Sequence, residues 1–318
     1  MRPPEFLMPY ARAIKYAMKW RRAKSDAARP YPGDGSAFTD PPRFVLGCGR
    51  SGTTIIGKIF GVHPDVCYLF EPYHLWAAVD RRTDMINFYG RADAHCLMDE
   101  SFADDAARLK FRRAIHAERA RSGRSAVIEK TPINAMRLGY LSALSPGSRI
   151  VHMVRDGVDV ARSIGRLSVK HEYNVVGRRD WNAWWGAGDC KWRFLASDGA
   201  RAGYFVDEVA AIGNHEQRGA YEWLVSLEEV EKHRATLGDL LLDVRYDELT
   251  GAPRATIERI CAHFAIAAPA QWLARAESML DKERKNEGAP LVLPPRMCAR
   301  FNELQTKYGF GGRAAAKT

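Results

Sequence analysis

The stretch Phe44-Val45-Leu46-Gly47-Cys48-Gly49-Arg50-Ser51-Gly52-Thr53-Thr54 decides the fold. A short apolar run ends in glycine and reads as a strand. A helix is expected from Thr53 to Phe60. Glycines between the two let the backbone turn tightly and come close to an anion. Amides of the loop and of the helix start then point at its oxygens, and the Thr53 and Thr54 hydroxyls add donors. The spacing is that of G-x-x-x-x-G-K-[ST], but Thr53 stands where the lysine belongs. The loop's cation is Arg50, earlier in the segment.

Working outward, strands are expected at Val66–Phe70, Ala126–Ile128, Arg149–Val154 and Leu240–Val244. Helices are expected at Asp104–Arg121, Ile133–Leu144, Val158–Leu167, Glu216–Arg234 and Pro253–Phe264, the last with proline at its first turn. Strand and helix alternate, which predicts an α/β fold: a P-loop-type, mostly parallel sheet with helices on both faces. In such sheets ligands bind beyond the carboxyl ends of the strands. Residues 43–318 form one domain on this reading.

Residues 1–42 read as a basic N-terminal arm and a Pro-rich linker. Pro9–Lys24 has helical spacing, with Ala11, Ile14, Ala17 and Met18 on one side and Arg12, Lys15, Lys19, Arg21, Arg22 and Lys24 around the rest. Two readings stand. One is a helix in peripheral contact with an anionic membrane through residues 9–24. The other is a solvated basic arm packed lightly on the body, which the thin apolar face favours. The segment 171–200 has no clear period, although Trp181, Trp184, Trp185, Trp192 and Phe194 crowd it. These rings either stack on a sugar or aromatic acceptor or form a small core under a loop.

The chain of 318 residues carries a net charge of +10. A positive surplus suits a strongly anionic ligand, and it also suits nucleic acid or an anionic membrane. The six cysteines form no C-x-x-C pair and read as buried thiols of a reducing compartment. No run of about 18 apolar residues and no signal-peptide core occurs, so the expectation is a cytoplasmic chain. No metal site is expected.

A second anion site is legible in Arg149-Ile-Val-His-Met-Val-Arg155-Asp156-Gly-Val-Asp159-Val-Ala-Arg-Ser163. Arg155 stands at a strand end. Ser163 lies about two helical turns on. An arginine fork plus a hydroxyl suits a phosphate monoester. The alternative is an ion pair of Arg155 with Asp156 or Asp159. Beside the first loop, the anion site is the stronger reading.

G-C-G-R-S-G-T-T, then E-K-T-P at 129–132, V-R-D-G-V-D-V-A-R-S-I at 154–164 and V-R-Y-D-E-L at 244–249 together resemble the sulfotransferases that use 3′-phosphoadenosine-5′-phosphosulfate (PAPS). The likeness is greatest to the Golgi-type carbohydrate and tyrosylprotein enzymes and their bacterial relatives. It covers about residues 43–165 and 216–265.

The resemblance implies that Gly49, Arg50, Ser51, Gly52, Thr53 and Thr54 hold the 5′-phosphosulfate. Arg155 and Ser163 would hold the 3′-phosphate, and Tyr246 would touch the nucleotide. Arg50, Lys130 and Glu71 would be catalytic, with Glu71 as general base and Lys130 facing the transferring group. His74 is the rival base. The acceptor would present a hydroxyl or amine, on a glycan or lipid-linked molecule; nucleic acid is not expected. A sulfuryl group carries less negative charge than a phosphoryl group, so side-chain cations suffice without a metal. The C-terminal R-x-G-x-x-G-x-W loop of cytosolic relatives is absent.

Two other classes compete. A P-loop kinase-like phosphotransferase needs the lysine that Thr53 replaces, together with Mg²⁺. A non-enzymatic nucleotide- or membrane-binding protein would keep the loop and the basic arm without a base.

Overall fold

Alternation within the strands sets the layers. In Arg43–Leu46 (β1) Phe44 and Leu46 point to one face and Val45 to the other, and all three are fully buried. A strand buried on both faces needs cover on both, and the apolar runs of the neighbouring strands make the same demand.

The computed structural model describes residues 8–89, 93–170, 181–280 and 288–317. Its elements run in this order. Met8–Ala28 (α1) precedes β1, followed by Thr53–Gly61 (α2), Val66–Phe70 (β2), Tyr73–Val79 (α3) and Asp105–Ser122 (α4). Then come Ala126–Lys130 (β3), Leu138–Leu144 (α5), Ile150–Val154 (β4) and Gly157–Ser168 (α6). Trp181–Asn182 (β5) pairs antiparallel with Gly186–Ala187 (β6), ahead of Cys190–Arg201 (α7), His215–Leu237 (α8) and Leu241–Arg245 (β7). The rest is Tyr246–Gly251 (α9), Pro253–Phe264 (α10), Ala270–Ser278 (α11), Leu291–Leu293 (β8), Pro295–Lys307 (α12) and Ala314–Ala316 (β9).

The central sheet has the order β2-β3-β1-β4-β7, and every pair in it is parallel. On one face Phe44, Leu46, Val127 and Ile150 join Phe111 of α4 and Leu141 of α5. On the other, Val45, Ile128, Val151 and Val244 join Ile56 of α2 and Ile260 of α10. A further core lies between α6, α8 and α12, around Val160, Trp223 and Phe301.

Three local expectations change. The helix expected at Ile133–Leu144 is a 3-10 turn over Pro132–Arg137 followed by α5. Arg137 breaks it: its buried guanidinium donates to the carbonyls of Thr83, His95 and Cys96, which draws the backbone off the helical path. The stretch without a period contains the β5–β6 hairpin and α7; residues 171–180 lie outside the described part.

The basic helix is the third change. It runs to Ala28 and is not loosely held. Ala23 and Ala27 are buried, Trp20 stacks on Tyr89 at 4.9 Å, and Arg121 of α4 pairs with Asp26 at 2.7 Å. The side chains of residues 8, 9 and 12 are not described.

All six cysteines are buried and free.

Candidate functional site

The strand order sets the site. Loops leaving the carboxyl ends of β2, β3, β1, β4 and β7 lie side by side in that order. Glu71 follows β2, Lys130 closes β3, Gly47–Gly52 follows β1, Arg155 follows β4 and Tyr246 follows β7. Residues drawn from Gly47 to Tyr246 thus form one row along a sheet edge.

In the phosphate loop, Arg50 holds φ 72 and Gly52 φ 94, both left-handed. For arginine this is strain of about 1–3 kcal/mol, which surrounding contacts must hold in place. Arg50 Nε donates to Ser163 Oγ at 3.0 Å, and Arg155 Nη1 reaches the Arg50 carbonyl at 3.5 Å. The first loop and the Arg155–Ser163 segment therefore meet at Arg50. Gly52 is bare because the Tyr246 ring covers it: a Cβ there would sit 2.4 Å from the ring. The same ring carries the Arg155 guanidinium 4.8 Å above its centre. Arg155 also pairs with Asp159 at 3.3 Å, the ion pair that was the alternative reading. Pairing and convergence on Arg50 coexist.

Two features of the loop suit an oxyanion. Helix α2 starts at Gly52 without a side-chain cap, leaving its first-turn amides to the loop's concave side. The Ser51 hydroxyl is buried without a hydrogen-bond partner. A bound phosphate group would satisfy both. Thr53 is buried and Thr54 exposed at the same turn.

On the other side of Arg50 lies a cavity of about 480 Å³. Glu71, Arg50, His74, Trp184, Lys191 and Glu222 are in its wall; Arg155 and Ser163 stand behind Arg50 and are not. Glu71 also has a left-handed backbone, φ 39, and its Oε1 accepts from Lys130 Nζ at 2.5 Å. Lys130 is fully buried, with its ammonium 4.1 Å from the centre of the Phe70 ring. Burial lowers its pKa, and Glu71 opposes that shift.

Glu129 points the other way. It accepts from Trp76 Nε1 at 2.9 Å, from Asn134 Nδ2 at 3.1 Å and from the Thr131 hydroxyl. Alternation along β3 separates the two charges as the sequence requires. Burial pushes the Glu129 carboxyl up to about 7 against these donors. His74 is pushed down to about 4, first by burial and then by Lys19 and Arg22.

The tryptophan cluster divides between the two readings. Trp185 is fully buried, and Trp192 packs edge-on against it at 5.9 Å and against Tyr221 at 5.6 Å. Trp181 and Trp184 instead face the cavity. Trp184 roofs the phosphate loop so closely that a Cβ on Gly49 would lie 2.2 Å from its ring.

An ion pair absent from the sequence reading holds that roof. Lys191 Nζ donates to both Glu222 oxygens at 2.7 and 2.8 Å, and Trp184 Nε1 donates to Glu222 at 2.9 Å. Lys191 lies 4.1 Å under the Trp184 ring. The one sequence signal was Glu222 itself, a carboxylate flanked by Tyr221 and Trp223 in α8.

Residues 41–186 match the profile described as "Sulfotransferase family". A "Nodulation protein NoeE" of Sinorhizobium fredii is 30% identical over 135 residues, covering 38% of this chain and 30% of that protein. A "Putative protein-tyrosine sulfotransferase" of Caenorhabditis briggsae is 31% identical over 141 residues, covering 42% and 45%. The chain matches less than half the length of these curated relatives. In fold it is similar to the sulfotransferase STF9 from Mycobacterium avium, with TM-score 0.51, 13% identity, and 90% and 81% of the two chains covered. The profile match takes in the phosphate loop and the Arg155–Ser163 segment, the two motifs that meet at Arg50, and through that region the chain is similar to the sulfotransferase family.

Proposed function

We propose that this chain transfers a sulfuryl group from PAPS to a hydroxyl or amine of an acceptor that enters the cavity beside the phosphate loop. The observation that carries the reading is the bond from Arg50 Nε to Ser163 Oγ at 3.0 Å, which joins two oxyanion sites 113 residues apart. A nucleotide with phosphate at both its 3′ and 5′ positions needs two such sites within one molecule's length. The uncapped start of α2, the unpartnered Ser51 hydroxyl and the Tyr246–Arg155 stack fit its two anionic ends and its ring.

PAPS supplies a sulfuryl group on a phosphate leaving group. Glu71 takes the acceptor's proton as the new bond to sulfur forms. The bond from sulfur to the 5′-phosphate oxygen breaks, and its electron pair leaves with adenosine 3′,5′-bisphosphate. Arg50 and the first-turn amides of α2 stabilise charge on that oxygen. Lys130 leaves its pair with Glu71 to face the sulfuryl oxygens, which frees the carboxylate to act as base. His74 is a poor base here: with its pKa near 4, the imidazole is neutral at pH 7 but holds a proton only weakly.

The test is transfer of radiolabelled sulfate from PAPS to pooled hydroxylated glycans, lipids, peptides and phenols, with a chelator present. Calorimetric titration with adenosine 3′,5′-bisphosphate accompanies it. Chelator-insensitive transfer and saturable nucleotide binding are expected. No binding at high micromolar nucleotide would overturn the reading. Magnesium-dependent ATP turnover lost in Arg50→Ala would replace it with a kinase.

A further inference from the structure

We propose that the outer face of α1 docks on an anionic lipid bilayer and sets the cavity mouth against it, so that the acceptor is a lipid-borne hydroxyl. Docking stands on its own; the acceptor class rests on the transferase reading above.

The first observation is an exposed apolar stripe. Tyr10, Ile14 and Met18 follow one another at four-residue spacing and so share a face. They are 56%, 61% and 66% exposed on a helix whose other side is anchored to the body. The anchors are the Trp20–Tyr89 stack, the buried Ala23 and Ala27, and ion pairs from Arg22 to Glu118 and from Arg121 to Asp26. The stripe is therefore presented on a fixed support.

The second observation is charge. A groove of about 620 Å³ on this face is lined by Ala11, Ile14, Lys15, Met18, Lys19 and Arg22, with three cations and no carboxylate. Lys15 and Arg22 both act to lower the Lys19 pKa, after burial. A neighbouring anion would relieve that crowding. An apolar stripe flanked by lysine and arginine matches the boundary between acyl chains and anionic headgroups. No helix among the described residues is long and apolar enough to cross a membrane, so contact would be peripheral.

The third observation ties the face to the chemistry. Lys19 lines both the groove and the cavity beside the phosphate loop, and Tyr16 of the same helix lines that cavity too. Phe88 and Trp181 continue its wall, with Tyr16 and Phe88 at 4.9 Å and Phe88 and Trp181 at 4.9 Å. The cavity thus has an aromatic wall beside the basic groove. A headgroup hydroxyl could enter the cavity toward Glu71 while the acyl chains stay in the bilayer.

The experiment is flotation of the full chain with vesicles of phosphatidylcholine alone or mixed with phosphatidylglycerol at about 3:1. Wild type should float with the anionic vesicles only, and less at high salt. Ile14→Ser/Met18→Ser should cut the floated fraction about tenfold and leave adenosine 3′,5′-bisphosphate binding unchanged, which reports an intact fold. No flotation, or equal flotation of wild type and double variant, overturns docking. A wild-type dimer that this double variant dissociates assigns the face to a second copy and also overturns it.

For the acceptor, vesicles of mixed hydroxylated glycolipids are incubated with labelled PAPS and the lipids extracted. Label in the lipid fraction, lost in the double variant, is expected. Label only in water-soluble acceptors overturns the lipid acceptor. Flotation without label anywhere overturns the transferase reading and leaves docking in place.

Discussion

The two sides of Arg50 are built differently. On the side of β4 and β7, contact residues sit within continuous motifs. Arg155 and Ser163 lie on one strand–helix junction, and Tyr246 opens the helix directly after its strand. On the side of β2 and β3, each contact joins distant segments: Lys130 to Glu71, and Trp184 and Lys191 to Glu222. On the proposed reading the first side would hold groups of fixed shape, two phosphates and a ring, which short motifs can encode. The second side forms a cavity walled by segments from across the chain, the α1 helix among them. A single donor of that shape would call for the first kind of site, and an acceptor of another shape for the second.

Arg50→Ala is the strongest way to break that division, because Arg50 belongs to both sides. Removing a positioned cation at the leaving oxygen is expected to cost about 10²–10³-fold in transfer rate. It also removes the donor to Ser163, so nucleotide affinity should fall. Ser163→Ala should weaken nucleotide binding and leave the rate at saturating PAPS near wild type. Both constants are read from transfer kinetics and calorimetric titration on each variant. If Arg50→Ala alters nucleotide affinity alone, Arg50 serves the donor side only.

Glu129, the neighbour of Lys130 on β3, offers a smaller test. Burial holds its carboxyl at about 7 in the folded protein; unfolded, it titrates near the ordinary value of about 4.3. The folded state therefore keeps a proton that the unfolded chain releases in between. The stability this adds is full below about 4.3 and is lost as pH rises through 7, a swing of about 4 kcal/mol. Glu129→Gln should flatten that slope. Gln keeps an oxygen for Trp76 and Thr131, and its new amide can donate to Asn134 Oδ1, which is buried and unpartnered. Denaturant titrations should give similar stability for the two proteins at pH 4.5 and greater stability for the variant at pH 8. Equal slopes would mean that Glu129 is ionised throughout.

What the sequence made legible follows the same division. Gly47–Thr54 and Arg155–Ser163 could be read because each is a strand, a turn and a helix start in unbroken order, and local chemistry fixes such units. The parallel sheet was legible for the same reason. Lys130 and Glu71 could be named separately, but their pairing required knowing that β2 and β3 are neighbours, and Phe70 opposite Lys130 is a matter of register. The Lys191–Glu222 pair has no spacing signature, since its partners are 31 positions apart on different helices. The basic helix was misjudged as loosely held because its anchors are a stacked ring and small buried alanines, which leave a weak periodic pattern.

Trp184 gives the smallest expected effect and the finest test. Its ring lies over Gly49, and its N–H is held by Glu222 behind it. If it is a wall of the acceptor cavity, Trp184→Ala should raise the acceptor KM about tenfold, or about 1.4 kcal/mol, with nucleotide affinity unchanged. Trp184→Phe keeps a ring over Gly49 and Lys191 but gives up the bond to Glu222, so its KM should fall between the two. Gly49→Ala approaches the same contact from below: the added methyl would push the ring outward, and its KM should rise as well. Acceptor saturation curves at fixed PAPS measure all three. Should nucleotide affinity drop as far as acceptor affinity in Trp184→Ala, the ring holds the donor in place. The border between the two sides would then run through Trp184 rather than Arg50.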